Sequence, residues 1–245
     1  MDVGWVAYVV LAMAALVVGV SKTSVGGAAA LAVVVFAIVL PAKASTGTIL
    51  PLLIAGDLVA VSLYRCHADW GIIRRLLPWM LVGLIAGVGF LSIADDTVMR
   101  RTIGALLLVF LLVPWIGGRL GVQGPTAHHP VGAALAGAAA GFCTMTANAA
   151  GPVMAIYLVL MRVQKMVFLG SNAWLFLIIN VIKVPFSGAL GLIDGESLRL
   201  DLTLIPWVLV GCFIGTRLIG RLHQRQFEHI TLVLAAVSAF VLLVT

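Results

Sequence analysis

The stretch Pro78-Trp79-Met80-Leu81-Val82-Gly83 returns later in the chain as Pro206-Trp207-Val208-Leu209-Val210-Gly211, at an offset of 128 residues (206 minus 78). A further glycine follows each copy, at Gly87 and at Gly215. Chance repetition of such a string is rare even in an apolar sequence. The repeat therefore predicts a chain built from two related halves.

A second match lies earlier in each half. Gly19 corresponds to Gly141, and Lys43 corresponds to Lys165, at an offset of 122 residues (141 minus 19). The Gly-, Pro- and His-containing stretch around residues 117–130 separates the two sets of apolar segments. We therefore predict an N-terminal repeat over residues 1–118, a linker over 119–129 and a C-terminal repeat over 130–245.

The composition is typical of an integral membrane protein. Hydrophobic residues make up 62% of the 245 residues and charged residues 10%, and the mean hydropathy is +1.19. Soluble domains carry about a quarter charged residues. Because roughly 20 apolar residues cross a bilayer, the chain has room for about eight to ten membrane segments. We predict an all-α integral membrane protein with short connections.

Apolar runs between glycine, proline and charged residues predict five segments in each half. They lie at about 5–20, 25–40, 46–64, 77–94 and 102–117, and then at about 131–147, 152–161, 167–188, 203–220 and 229–245. Since five is an odd number, the second half enters the membrane from the opposite side. This is the inverted-topology plan of many secondary transporters.

The net charge of +6 predicts an orientation rather than a nucleic-acid surface, because the bases stand singly or in pairs between apolar blocks. In the predicted topology nine bases share one side: Arg65, Arg74, Arg75, Arg119, Arg162, Lys165, Arg217, Arg221 and Arg225. The other side has four bases: Lys43, Arg100, Arg101 and Arg199. The positive-inside rule then predicts both termini on the non-cytoplasmic side.

Three further patterns restrict the function. Cys66, Cys143 and Cys212 lie far apart without a CxxC or histidine pairing, so we expect no metal site and no cofactor. Ser21-Lys22-Thr23 resembles the end of a Walker A motif but lacks its glycines, which argues against an ATP site. No catalytic Ser/His/Asp or Cys/His set lies at one depth, so we expect no enzyme, although an intramembrane enzyme stays open as an alternative.

Two polar, glycine-rich stretches interrupt the apolar pattern at corresponding positions of the halves, at residues 19–27 and 141–152. The following segment, Pro152 to Met161, would be about 15 Å long as a helix, half of a hydrocarbon core. We predict broken or short helices near the midplane. Ser24 is a candidate N-cap, and Pro152 suits a first helical turn.

Both breaks carry groups that bind oxyanions. A helix N-terminus offers unpaired N–H groups, and glycine lets a ligand approach the backbone. The predicted substrate-binding residues here are Ser21, Lys22, Thr23, Ser24, Gly26, Gly27, Thr144, Thr146 and Asn148. The alternative is an ordinary loop whose glycines serve only helix packing.

Polar residues inside apolar segments are costly in a bilayer and mark functional positions. Asn172 and Lys183 are second candidates for substrate binding, and Asp57 is a candidate coupling residue. Two alternatives remain open: Asp57 lies eight residues from Arg65 and pairs with it, and Lys183 snorkels to the outer surface.

Four stretches of the first half resemble the sulfite exporter TauE/SafE family of bacterial membrane permeases. They are Gly19 to Gly27, Leu40 to Thr46, Asp57 to Arg65 and His67-Ala68-Asp69-Trp70. The resemblance implies ATP-independent export of sulfite, a short organosulfonate or a related sulfur oxyanion across the bacterial inner membrane. It leaves the identity of that anion open.

We therefore expect a secondary transporter that works by alternating access, with a small anion and the lipid bilayer as its partners and no nucleic acid. A homo-oligomer is left open. An anion channel is the closest alternative, since the same polar lining serves a pore.

Overall fold

The computed structural model describes residues 4–40, 42–93, 98 and 130–244. Every regular element in these ranges is helical, which confirms the all-α prediction. The helices are α1 (Trp5–Thr23), α2 (Ala29–Val39), α3 (Ala42–Tyr64), α4 (Trp70–Ile93), α5 (Pro130–Ala147), α6 (Ala150–Leu160), α7 (Lys165–Ala189), α8 (Gly195–Arg221) and α9 (Gln224–Val244). A single 3-10 turn, Arg65–His67, joins α3 to α4.

Six of the described helices are long and apolar enough to cross a membrane: α1, α3, α4, α5, α7 and α8. The chain is thus a multi-pass membrane protein. Two more described helices, α2 and α6, are apolar but have only 11 residues each. The predicted fifth segment, 102–117, and the linker, 119–129, lie outside the described residues.

Two helices begin earlier than the apolar pattern indicates. Helix α4 begins at Trp70 instead of residue 77, and α8 begins at Gly195 instead of residue 203. Their first turns contain charged residues, which a search for apolar runs cannot assign to a helix. At α8 a capping box defines the start, because Asp194 accepts a hydrogen bond from the Ser197 N–H at 2.7 Å. That bond lowers the pKa of the Asp194 carboxyl.

The first helix of each half packs on the Pro-Trp helix of the other half. Helix α1 packs on α8, and α5 packs on α4. A Cβ at Gly19 would clash with the backbone carbonyl of Val208, and a Cβ at Gly141 would clash with that of Met80. Glycine at these positions therefore lets the two backbones touch, as small residues do between membrane helices.

These contacts follow the offsets of the sequence repeat. Gly19 and Gly141 are 122 residues apart, while their partners Met80 and Val208 are 128 apart. Gly83 and Gly211 repeat the match, since a Cβ at either would clash with a carbonyl of the opposing helix. The matched contacts support the relation between the halves, whereas their opposite orientation in a membrane stays a prediction.

Candidate functional site

The first helix break separates α1 from α2. Helix α1 ends at Thr23, Gly27 has a positive φ of 95°, and α2 begins at Ala29. The Ser21 hydroxyl accepts a hydrogen bond from the Ala29 N–H at 2.9 Å and donates to the Val25 carbonyl at 3.2 Å. Ser21 thus occupies the first N–H group of α2.

The predicted N-cap role of Ser24 is wrong. Ser24 is the C-cap of α1, and its hydroxyl donates to the Val20 carbonyl at 2.6 Å. The physical reason is that the Val20 carbonyl lies one turn before Ser24. A serine hydroxyl bonds to such a carbonyl of its own helix more readily than to the N–H groups of the next helix.

Other helices hold the backbone of this break in place. The Tyr64 hydroxyl of α3 donates to the Thr23 carbonyl at 2.7 Å, and the Ser238 hydroxyl of α9 donates to the Gly27 carbonyl at 3.1 Å. A non-helical segment at membrane depth needs such partners, because no water in the hydrocarbon satisfies its backbone. The break is therefore a built feature of the fold.

The second break separates α5 from α6 in the same way. Asn148 has a positive φ of 52°, and asparagine is one of the few side chains that adopts this conformation readily. Pro152 is the third residue of α6, which confirms its prediction as a first-turn residue. A Cβ at Gly151 would lie 3.3 Å from Gly27 Cα, so the two breaks are in direct contact.

The two short helices lead away from this contact. Each has 11 residues, which corresponds to about 16 Å of helix, half the thickness of a hydrocarbon core. The prediction of short helices beside the breaks is confirmed.

A cavity of about 30 Å³ lies where the breaks meet. It has room for two or three water-sized groups, which suits a small anion rather than a large organic ligand. Half of its lining residues precede the linker and half follow it: Ser21, Lys22, Gly26, Gly27, Ala29, Leu53, Thr144, Asn148, Gly151, Asn172, Phe176 and Asn180. Seven of the predicted substrate-binding residues therefore line one cavity.

Lys22 forms an ion pair with Asp57 inside this site. Its Nζ lies 2.6 Å from Asp57 Oδ1 and 4.6 Å from the centre of the Phe176 ring. Gly56 makes room for the lysine stem, since a Cβ there would lie 2.9 Å from Lys22 Cγ. Asn180 Nδ2 donates to the other carboxylate oxygen at 2.7 Å. The alternative pairing of Asp57 with Arg65 is thus wrong.

Lys183 lies behind the cavity wall and is 1% exposed. Its Nζ donates to the Thr144 carbonyl at 2.6 Å, to Thr144 Oγ1 at 3.3 Å and to Asn148 Oδ1. A buried ammonium with three acceptors does not reach a lipid headgroup, so the alternative in which Lys183 snorkels outward is wrong. The residue instead orients two side chains that line the cavity.

Besides Lys183, three predicted residues lie outside the described cavity lining, and their hydroxyls bond to backbone carbonyls. Thr23 donates to Gly19 and Cys212 at 3.0 Å, and Thr146 donates to Phe142 at 2.9 Å; Ser24 is the third. Serine and threonine in helices commonly return their hydroxyl to the preceding turn.

The polar face of α7 was only partly predicted. Asn172, Phe176 and Asn180 line the cavity, and Lys183 lies one turn beyond them. Spacings of four, four and three residues put these side chains on one helix face. That spacing could have added Asn180 and Phe176 to the predicted site, which did not include them, whereas Leu53, Ala29 and Gly151 carry no chemical signal.

Several hydrogen-bond donors remain for a ligand. Thr144 Oγ1 accepts from Lys183, which leaves its O–H to donate. Asn148 uses one amide hydrogen on the Thr46 carbonyl at 3.0 Å and keeps a second. Gly151 lies in the first turn of α6, where backbone N–H groups have no intrahelical acceptor. Together with Lys22 these groups form a lining suited to an anion.

Comparison with known proteins supports this chemistry. The family model described as sulfite exporter TauE/SafE matches residues 11–242, nearly the whole chain. No curated protein and no solved structure matches the chain. With a match of this extent, the chain belongs to the sulfite exporter TauE/SafE family, whose members transport small sulfur-containing anions across membranes.

Proposed function

We propose that the protein is a secondary transporter that exports a small sulfur oxyanion, such as sulfite or a short organosulfonate, without ATP. One observation carries the proposal: the two helix breaks, one from each half, meet at a small buried cavity with a lysine, a free threonine hydroxyl and amide donors. Backbone N–H groups at a helix start add the partial positive charge that stabilises anions.

The proposed binding residues have different roles. The cavity donors Thr144, Asn148 and Asn172 bind the anion oxygens, while Lys22 supplies charge. Gly26 and Gly27 contribute backbone atoms to the cavity lining, while the absence of their side chains leaves room for Phe168 and Ala235. Lys183 fixes the geometry of Thr144 and Asn148.

Asp57 is the proposed coupling residue. It occupies the lysine that the anion needs, because Lys22 Nζ is 2.6 Å from Asp57 Oδ1. An anion that reaches Lys22 therefore competes with the carboxylate. Uptake of a proton or a rotation of Asp57 toward Asn180 would relieve this competition, and either event links binding to a second change in the protein.

The position of the cavity supports the proposal of alternating access. The site lies where the two halves meet, and the first helix of each half packs on the other half, so rocking of one half against the other would open the site to each side in turn. In this proposal the halves are inverted repeats, the protein lies in a bacterial inner membrane and both termini are outside the cytoplasm.

Flux into proteoliposomes tests the proposal. Purified protein should take up labelled sulfite or sulfonate with saturation and with acceleration by a counter-gradient of the same anion. Unsaturable flux would favour the channel. If Lys22→Ala transported at the normal rate and with the normal affinity, the proposed site would be wrong.

A further inference from the structure

The buried charges beside the cavity do not balance. Lys22 and Lys183 contribute two positive charges, and Asp57 contributes one negative charge. Among the described residues, Asp57 forms an ion pair with Lys22, whereas Lys183 donates to neutral oxygens. Asp201, another buried carboxylate, has no hydrogen-bond partner at either oxygen and so pairs with neither lysine. The described cluster therefore carries one uncompensated positive charge.

That charge belongs to Lys183. Its three N–H bonds all go to neutral oxygens of Thr144 and Asn148, which satisfies the hydrogen-bonding capacity of an ammonium group. Neutral acceptors do not cancel the charge, and a buried charge without a counterion is costly in a low-dielectric interior. The site is electrostatically incomplete without an anion.

The charge is one side chain away from a bound ligand. Thr144 and Asn148 both contact Lys183 and both line the cavity. An ammonium that donates to a threonine oxygen polarises the hydroxyl, so the O–H becomes a stronger donor toward the cavity. The positive charge of Lys183 therefore favours an anion in contact with Thr144.

We propose that the cavity selects anions carrying a single negative charge, and that Lys183 sets this selection through Thr144 and Asn148. This inference rests on the proposed function, because it assumes that the cavity binds the transported anion. One negative charge neutralises the cluster, whereas a dianion brings a surplus into a site that has no further cation among the described residues. Sulfonates fit this rule near neutral pH, and sulfate does not.

Methanesulfonate and sulfate form a matched pair for the test, since both present an SO3 group and differ in charge. Uptake of labelled methanesulfonate into proteoliposomes is measured with either unlabelled anion as competitor. Sulfate should compete at least about tenfold more weakly than methanesulfonate in the wild type, because a surplus charge at a few ångströms costs more than 1.4 kcal/mol.

Charge variants make the selection measurable. Lys183→Gln brings the net charge of the cluster to zero and should weaken methanesulfonate binding at least about tenfold. Asp57→Asn brings it to two positive charges and should shift the competition ratio toward sulfate by a similar factor. The double variant returns the cluster to one positive charge and should restore the preference for methanesulfonate. Lys183→Arg keeps the charge and should keep the preference.

Gel filtration and thermal unfolding identify any variant that fails to fold. The competition ratio is then compared among the variants that do fold. A competition ratio that stays at the wild-type value in Asp57→Asn, or a double variant that does not return to that value, would overturn the inference and leave the transporter proposal intact. Absence of saturable uptake by the wild type would overturn the proposed function itself.

Discussion

The ammonium of Lys22 and the carboxylate of Asp57 lie 2.6 Å apart, and they connect the first helix break to the long helix α3. Asp57 is fully buried, and the Lys22 side chain is 9% exposed. Removing either partner would leave the other as an unpaired charge in the protein interior, which is strongly destabilising. The pair therefore stabilises the fold, and in the proposed mechanism Asp57 also competes with the anion for the Lys22 ammonium.

Replacing Lys22 by methionine should destabilise the protein. The change leaves Asp57 buried with only Asn180 as a described partner, and an uncompensated buried charge costs about 3–5 kcal/mol. Thermal unfolding in detergent should show the loss, and anion uptake should fall with it.

The double variant Lys22→Met with Asp57→Leu separates the two roles of this pair. Removal of both charges should restore stability, since apolar replacement of a buried ion pair is often neutral or better. Uptake should stay low. Recovery of uptake in the double variant would show that the Lys22 charge is not needed for transport.

Two threonines of α5 provide a direct comparison. Thr144 lines the cavity, and its hydroxyl oxygen accepts from Lys183, whereas the Thr146 hydroxyl donates to the Phe142 carbonyl. Thr144→Val should weaken anion affinity by about tenfold, because one hydrogen bond to a charged ligand is lost. Thr146→Val should cause a clearly smaller loss in uptake. Equal losses would contradict the assignment of the cavity-facing hydroxyl.

The close contacts between the halves predict matched glycine effects. Gly19→Ala and Gly141→Ala should each destabilise the protein by about 1–3 kcal/mol, because both new methyl groups meet a backbone carbonyl of the opposing helix. Gly220→Ala is the control, since a Cβ there meets nothing within 4 Å. Similar thermal stabilities for all three variants would contradict the described helix packing.

Asp201 is expected to weaken the fold. It is 2% exposed, and neither carboxylate oxygen has a hydrogen-bond partner. Asp201→Asn keeps the shape and removes the charge, so we expect a rise in stability of up to about 3 kcal/mol. A fall in the unfolding temperature would indicate that the carboxylate has a favourable partner.

Much of the architecture was predictable from periodicity and repetition. The helix breaks stand out because Gly26, Lys22 and Asn148 interrupt apolar runs at matching positions of the repeat. The short helix that contains Pro152 was predictable from the length of its apolar run. These features depend on residues that are close together in sequence, so they can be predicted without knowing the tertiary contacts.

The pairing inside the site was not predictable in the same way. Asp57 has Arg65 eight residues away in sequence, yet it pairs with Lys22 from another helix. The direction of each hydroxyl was equally hidden, because the choice between a cavity and a preceding carbonyl depends on where the helix ends. Thr144 and Thr146 are two residues apart and make opposite choices.

The central claim is that the anion binds where the two helix breaks meet. Selenite is a close analogue of sulfite, so anomalous diffraction at the selenium edge from crystals of unlabelled protein soaked in selenite would locate it. We predict one strong peak in the cavity, within hydrogen-bond distance of Thr144 and Asn148. Selenite bound elsewhere, with that cavity empty, would contradict the account.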